Sequence, residues 1–261
     1  MFSSETADLF GLGVLLGLAL LLSAWLVWQL WRSPLSPLRT LLYALNYIIA
    51  RVLWRAEIVG RFPIAANQGA VIVSNHRCPL DPSFIALLNK RVVYWMVARE
   101  YCEYPPFRKL LQLCGAIPVN RWGNDPAATK AAIRLAEAGE LVGIFPEGRI
   151  NTSERLLLPG RPGAALIALK ARVPIVPCYI HGAPYDGTTL GCLLMPAHVT
   201  LKIGHPIDVT PYLHPADERE ALEKLTRRLL TEIALLAGEK HYRPELIGRF
   251  NKNAARSNSN G

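Results

Sequence analysis

A long apolar run without charges constrains this chain more than any other feature. From Leu9 to Trp31 the sequence reads LFGLGVLLGLALLLSAWLVWQLW. About 20 apolar residues suffice for a helix to cross the hydrocarbon core of a bilayer. Trp25, Trp28 and Trp31 gather at its C-terminal end, where an aromatic belt would lie. The run predicts a membrane helix; a helix seated in one leaflet and a buried core helix are the alternatives.

A cleaved signal peptide fits this run poorly, because no lysine or arginine precedes it and it exceeds the length of an h-region. Arginines follow it directly, so the positive-inside rule predicts a cytoplasmic main domain, at the inner membrane if the source is bacterial. A second apolar helix, TLLYALNYIIARVLWRAEI, follows a proline-broken hinge. It predicts either an interfacial helix, completing a membrane-seated hairpin over residues 1–55, or a helix packed on the core.

The net charge and the motifs of the sequence limit which classes of ligand and cofactor the chain is expected to bind. The formal net charge is +9, and a basic domain beside a membrane favours anionic headgroups or phosphorylated ligands. The charge is spread along the chain without a nucleic-acid motif, so no nucleic-acid partner is predicted. The sequence contains no P-loop or G-x-G-x-x-G, no histidines at ligand spacing and no C-x-x-C pair. We therefore predict no cofactor, no metal site and reduced cysteines.

Alternating strand and helix patterns predict an α/β domain over residues 56–240. Several apolar runs lack alternation, as strands buried on both faces do, which indicates a mostly parallel central sheet flanked by helices. A polar tail, 241–261, follows, and its end is predicted to be disordered. The predicted strands are 70–74, 92–98, 116–119, 141–145, 174–180 and 198–204. The predicted helices are 82–90, 105–114, 125–139, 161–171 and 216–238.

Polar residues follow the strand at 70–74, where the chain reads NHRCPLDP. His76 and Asp81 can meet only if the chain turns between them, and Pro79 favours such a turn. A carboxylate on one imidazole nitrogen would leave the other free to accept a proton from a hydroxyl. The alternative is a polar turn in which Asp81 is the N-cap of a helix beginning at Pro82.

Three further polar segments are predicted at strand ends or at a helix start. Arg121 follows the strand at 116–119, and a guanidinium there could bind phosphate. Glu147 and Arg149 flank Gly148 in a tight turn after the strand at 141–145. Arg161 precedes a helix N-terminus, which favours anions. Each segment alone is compatible with turn chemistry, whereas together they indicate a site for a phosphorylated ligand.

Four blocks resemble the PlsC-like lysophospholipid acyltransferases. NHRCPLD is similar to the family's N-H-x-S-x-x-D, GAIPVNR to G-x-I-x-x-x-R, FPEGRIN to F-P-E-G-T-R-S, and VPIVPCYI to the V-P-I-V-P strand. The resemblance covers residues 70–180 and preserves the order of the blocks. It implies the glycerol-3-phosphate acyltransferase-like α/β fold, with a two-helix membrane element before it.

The resemblance also implies roles. His76 would be the general base and Asp81 would orient it. The phosphate of the lysophospholipid that accepts the acyl group would contact Arg121, Glu147, Gly148, Arg149 and Arg161. Supporting positions would be Asn75, Cys78, Phe145, Pro146 and Pro177.

Two departures from the family pattern stand out. Cys78 replaces the usual serine, which keeps the size but weakens a hydrogen bond; a nucleophilic role for this thiol is the alternative. Arg149, Ile150 and Asn151 replace Thr-Arg-Ser, which moves the basic charge by one position.

The implied reaction moves a fatty acyl group from acyl-ACP or acyl-CoA to a lysophospholipid in the membrane, most simply 1-acylglycerol 3-phosphate, giving phosphatidic acid. Another lysolipid acceptor is one alternative. A non-catalytic lipid-binding protein on the same fold and a thioesterase or phospholipid hydrolase are the others. The donor, the acyl chain length and the oligomeric state stay open.

Overall fold

A computed structural model describes residues 4–33, 35–120, 125–185, 187–188, 191–213 and 216–247. The chain divides into two units, residues 1–45 and 46–261. The domain bounds predicted from the sequence stay a prediction. Arg121 and the end of the predicted tail, 248–261, lie outside the described residues.

The first unit contains helix α1 (Ser4–Arg32) and the start of helix α2 (Pro37–Val52). From Leu9 to Trp28, α1 is long and apolar enough to cross a membrane. Its large apolar side chains are exposed in the chain by itself, for example Leu20 at 71%. An exposed apolar surface of this extent suits contact with lipid, so the predicted N-terminal apolar helix is present.

Among the described residues, seven strands form one sheet. Five of them run in the same direction, and β7, which is antiparallel to β6, is reversed together with its parallel neighbour β1. This arrangement confirms the predicted mostly parallel sheet. The strands are β1 (Glu57–Val59), β2 (Ala70–Ser74), β3 (Val93–Ala98), β4 (Ile117–Val119), β5 (Leu141–Ile144), β6 (Ile175–His181) and β7 (Thr200–Ile203), in the spatial order β1-β7-β6-β2-β5-β3-β4.

Helices cover both faces of this sheet, because its central strands are apolar on both. In β2, Val71 and Val73 face one core layer and Ala70 and Ile72 the other, all fully buried. Complete burial of a Val or Ile side chain stabilises the fold by about 1.5–3 kcal/mol. The further helices are α3 (Asp81–Ile85), α4 (Arg99–Glu103), α5 (Pro105–Leu113), α6 (Pro126–Glu137), α7 (Gly163–Ala171) and α8 (Glu218–Ala237). Helices α6, α7 and α8 contribute to the first layer, and α3 with the end of α2 to the second.

The end of α2 belongs to the core of the second unit. Ala50 and Trp54 are buried in the second layer, and Asn46 donates from Nδ2 to the carbonyl oxygen of Ser83 at 2.9 Å. Arg51 donates to the carbonyl oxygen of Ala56 at 2.7 Å, which closes the turn after the helix. From residue 46 onward, one side of this helix therefore packs on the core, whereas Tyr47, Ile48 and Val52 are exposed. The interfacial helix stays a prediction.

Candidate active site

His76 and Asp81 meet at the carboxyl end of β2. Nδ1 of His76 lies 3.0 Å from Oδ2 of Asp81. A carboxylate only accepts hydrogen bonds, so Nδ1 carries the hydrogen and Nε2 is left as the basic nitrogen. Within the described part of the chain, no hydrogen bond engages Nε2. The histidine side chain keeps 16% of its surface exposed, whereas the aspartate is fully buried.

The side chain of Asp81 accepts hydrogen bonds from residues that precede it in the chain, whereas an N-cap accepts them from residues that follow it. It is the first residue of α3, and Leu80 occupies the N-cap without a side-chain bond. Its Oδ2 accepts the backbone N–H groups of Arg77 at 2.6 Å and Cys78 at 2.9 Å. The predicted N-cap is therefore wrong. The reason is that the turn at Cys78–Asp81 aims two N–H groups and the imidazole at the same carboxylate oxygen.

The peptide group of His76 is held on both sides by the loop after β5. Its N–H donates to Oε1 of Glu147 at 2.7 Å, and its carbonyl oxygen accepts the N–H of Asn151 at 2.7 Å. These two contacts fix the backbone of the candidate base independently of its side chain. Glu147 and Asn151 therefore position the histidine.

Glu147 is buried, with only 1% of its surface exposed. Its second oxygen, Oε2, accepts the N–H of Leu158 at 2.7 Å. Burial raises the pKa of this carboxyl group, while the hydrogen bonds from Leu158 and His76 act in the opposite direction. With both oxygens occupied by N–H donors and a negative charge of its own, Glu147 is better suited to holding the loops together than to the predicted contact with phosphate.

Aromatic rings support the imidazole from behind. The ring of Phe145 stacks on His76 with centroids 3.9 Å apart, and Trp95 stacks on the other face of Phe145 at 4.5 Å. Gly143 makes room for this stack, since a Cβ atom there would lie 2.5 Å from the indole of Trp95. Phe145 thus limits rotation of the histidine ring from one side.

Asn75 and Pro177 belong to the frame of the site. Nδ2 of Asn75 donates to the carbonyl oxygen of Ile180 and its Oδ1 accepts the N–H of the same residue, both at 2.8 Å. The side chain thereby continues the pairing of β2 with β6 beyond Ser74. Pro177 lies inside β6, in register with Val73, so its contribution is to the sheet beneath the loops.

The thiol of Cys78 is fully buried. Burial raises its pKa far above the usual value, so it stays protonated at neutral pH and is a poor nucleophile. Its sulfur accepts the N–H of Leu80 at 3.3 Å, so a contact that the usual serine would make persists in weaker form. This environment argues against a covalent acyl-enzyme at Cys78.

Arg149 and Arg161 are exposed on the same rim of the sheet. Gly148 adopts the left-handed conformation (φ +71°) and closes a turn onto Phe145 at 3.0 Å. A Cβ atom at Gly148 would lie 2.8 Å from Nε of Arg161, so the arginine side chain crosses directly over this turn. The N–H of Arg161 donates to the carbonyl oxygen of Pro146 at 2.8 Å. Within the described ranges neither guanidinium has an ion-pair partner, which leaves two positive charges available on this rim.

Some residues of the site were not predicted from the sequence. Trp95 and Arg77 are two of them, and Asn151 was noted only as a departure from the family pattern. The segment 242–247, predicted as part of the tail, is another: Gly160 donates to the carbonyl oxygen of Glu245 at 2.8 Å and accepts from Ile247 at 3.0 Å. A half-polar run ending in an apolar residue, RPELI, is the faint signal that could have indicated docking.

Comparisons with known proteins show the family to which this chain is similar. A model of the family described as Acyltransferase matches residues 55–181. The chain is 31% identical over 178 residues to a 1-acyl-sn-glycerol-3-phosphate acyltransferase of Bacillus subtilis, covering 66% of this chain and 85% of that one. It is 30% identical over 147 residues to a protein of the same name from Limnanthes douglasii, of which it spans 51%.

A solved structure shares the fold. The crystal structure of the 1-acyl-sn-glycerophosphate (LPA) acyltransferase PlsC from Thermotoga maritima superposes with a TM-score of 0.57 at 19% identity. The match covers 86% of this chain and 91% of that one. At this identity the likeness concerns the fold alone.

Proposed function

This chain belongs to the PlsC-like acyltransferase family and is an acyltransferase, and we propose that its acceptor is 1-acylglycerol 3-phosphate, which it converts to phosphatidic acid. The observation that carries the proposal is the pairing of His76 with Asp81, on the same rim of the sheet as Arg149 and Arg161, which have no ion-pair partner among the described residues. A base and a double positive charge at one rim suit an acceptor that carries both a hydroxyl and a phosphate. The names of the relatives support the same acceptor.

The proposed chemistry is direct transfer. Nε2 of His76 accepts the proton of the acceptor hydroxyl while the oxygen attacks the carbonyl carbon of the acyl thioester. The C–S bond of the collapsing intermediate breaks, and the imidazolium returns the proton to the leaving thiolate. Asp81 stabilises the imidazolium and fixes the ring tautomer. Acyl-ACP and acyl-CoA both supply the required thioester, and we propose one of them as the donor.

The function is tested by product analysis. The purified chain is incubated in mixed lipid vesicles with a panel of lysolipids and with acyl-CoA or acyl-ACP, and products are identified by mass spectrometry. Phosphatidic acid formed only in the presence of a thioester supports the proposal. Free fatty acid in its place would indicate a hydrolase, another diacyl lipid would indicate a different acceptor, and lipid binding without turnover would indicate a non-catalytic protein.

Membrane attachment through α1, with the second unit on the cytoplasmic face, completes the proposal. Cys114 offers a direct measurement, because it is the exposed cysteine among the five. In right-side-out vesicles from the expressing cells, a membrane-impermeant maleimide is expected to label Cys114 only after permeabilisation. Labelling of intact vesicles would place the second unit on the outer face. A Cys114→Ser variant is the control, since Cys78, Cys102, Cys178 and Cys192 are buried.

Replacing Arg161 tests the phosphate site. The Arg161→Ala protein is expected to raise KM for 1-acylglycerol 3-phosphate about 10- to 100-fold, because a charge-assisted hydrogen bond contributes about 1.5–3 kcal/mol. The KM for the thioester should stay the same. Arg149→Ala, which removes the neighbouring exposed guanidinium, is the matched variant and reports whether both cations contact the phosphate. An equal loss with a lysolipid acceptor that lacks the phosphate would contradict the assignment.

A further inference from the structure

Among the described residues, the guanidinium of Arg77, the residue after His76, donates only to backbone carbonyl groups of one segment. Nη1 donates to the carbonyl oxygens of Asn151 at 3.1 Å and Ser153 at 2.5 Å. Nη2 donates to those of Arg155 and, at 3.4 Å, Leu156. A planar fork with five N–H groups can reach several acceptors at once, whereas a lysine ammonium is a point charge. Arg77 therefore holds residues 151–156 in one conformation.

That segment connects the base to the candidate phosphate site. At its start, Asn151 donates to the carbonyl oxygen of His76 at 2.7 Å. Beyond its end, Leu158 donates to Glu147, which in turn accepts the N–H of His76. The chain then reaches Arg161, whose side chain lies over Gly148.

A polar side chain keeps the segment folded internally. Asn151 is 2% exposed, and its Oδ1 accepts from the N–H of Ser153 at 3.0 Å while its Nδ2 donates to the carbonyl oxygen of Arg155 at 2.9 Å. The outer end is tied by a two-bond ion pair between Arg155 and Glu245. Both partners are more than half exposed, so this pair is weak. Arg77 is itself half-buried and makes four hydrogen bonds, two of them in part-buried surroundings, so it is the stronger restraint.

We infer that Arg77 is a positioning residue that fixes Arg161 relative to His76 through the segment 151–158. It touches neither the acyl donor nor the acceptor in this assignment. The inference rests on the proposed function, since it assigns Arg77 to the same acceptor site.

Arg91 provides a matched control at the opposite edge of the sheet. It is also half-buried, and its guanidinium donates to the carbonyl oxygens of Ala65 and Gln68, both at 2.9 Å, and to that of Gly139. These residues precede the amino ends of β2 and β5. Arg77→Lys and Arg91→Lys thus remove the same kind of contact with the charge retained, one beside the site and one far from it.

The experiment is a double-mutant cycle. Arg77→Lys is expected to raise KM for the phosphate-bearing acceptor about tenfold, but less than about twofold when Arg161 is already alanine, because coupled residues are not additive. Arg91→Lys should change KM less than about twofold in either background, although it lowers thermal stability as well. Multiplicative effects of Arg77→Lys and Arg161→Ala, or equal KM values in the two lysine variants, would overturn the inference.

Hydrogen exchange gives a second measurement that needs no turnover. The amides of Asn151 and Leu158 are expected to exchange faster in Arg77→Lys and to be unchanged in Arg91→Lys. Unchanged exchange in both would overturn the inference even if acyl transfer is observed. Absence of acyl transfer by the wild-type chain would instead refute the proposed function, while exchange would still report whether Arg77 holds the segment.

Discussion

Replacing His76 with alanine is expected to lower kcat for acyl transfer by about 10³-fold, because a positioned general base contributes about 10²–10⁴-fold. In this variant, no other base of the described site stands where Nε2 was, so nothing there accepts the proton of the acceptor hydroxyl. Glu147, the nearest further carboxylate, already accepts two N–H groups. The loss should therefore appear in kcat, measured with saturating acceptor and thioester, and only weakly in the KM of either.

This variant separates chemistry from folding. The contacts that tie residue 76 to the loop after β5 are made by its backbone N–H and carbonyl oxygen, and alanine keeps both. Asp81→Asn is the companion variant: it keeps the size and removes the negative charge that would stabilise the imidazolium. Because all three donors meet at Oδ2, the asparagine can satisfy them only by placing its carbonyl oxygen there. A His76→Ala protein that retains kcat within about tenfold of wild type would refute base catalysis.

Much of the fold was predictable because burial on two faces leaves a simple pattern. The run AVIVS predicts β2 with its observed bounds, and the apolar runs of β5 and β6 place them within a residue or two. Strand β1 (Glu57–Val59) and helix α4 (Arg99–Glu103) were missed, since both are short and mostly exposed. The pairing partner of β1 is β7, which lies far along the chain. The predicted fold and the resemblance to the family are both confirmed.

The sequence predicts where the polar residues of the site lie in the fold, but not which groups they bind. That polar residues follow β2 and β5 at one edge comes from parallel strand direction, which the pattern indicates. The partners of Glu147, in contrast, are backbone N–H groups at His76 and Leu158, and only the three-dimensional path of the loops brings them together. For the same reason Arg77 carried no signal: a surface arginine and one that binds loop carbonyls are indistinguishable in sequence. The predicted role of Arg121 falls outside the described residues and stays a prediction.

Replacing Glu147 is expected to have the largest effect on stability. Glu147→Ala leaves the N–H groups of His76 and Leu158 without their acceptor, and each buried unpaired group costs about 1–3 kcal/mol. The free energy of unfolding should therefore fall by about 2–6 kcal/mol, measured by urea titration. In Glu147→Gln the amide oxygen can serve one N–H while the amide nitrogen faces the other, so about half of that loss is expected. Equal stability of all three proteins would contradict the role assigned to this carboxylate.

The stability difference between wild type and Glu147→Gln is expected to fall as pH rises. Burial raises the pKa of Glu147 above its usual value of 4.5, so the folded chain binds a proton more tightly than the unfolded chain. The contribution of Glu147 protonation to the free energy of unfolding is then fully present below pH 4.5. It is lost as pH rises through the higher pKa of the folded state. The stability difference between wild type and Glu147→Gln should accordingly be larger near pH 4.5 than at neutral pH, because the other titrating groups cancel. A difference that grows with pH would mean that the N–H groups of His76 and Leu158 stabilise the ionised carboxylate by more than its burial costs.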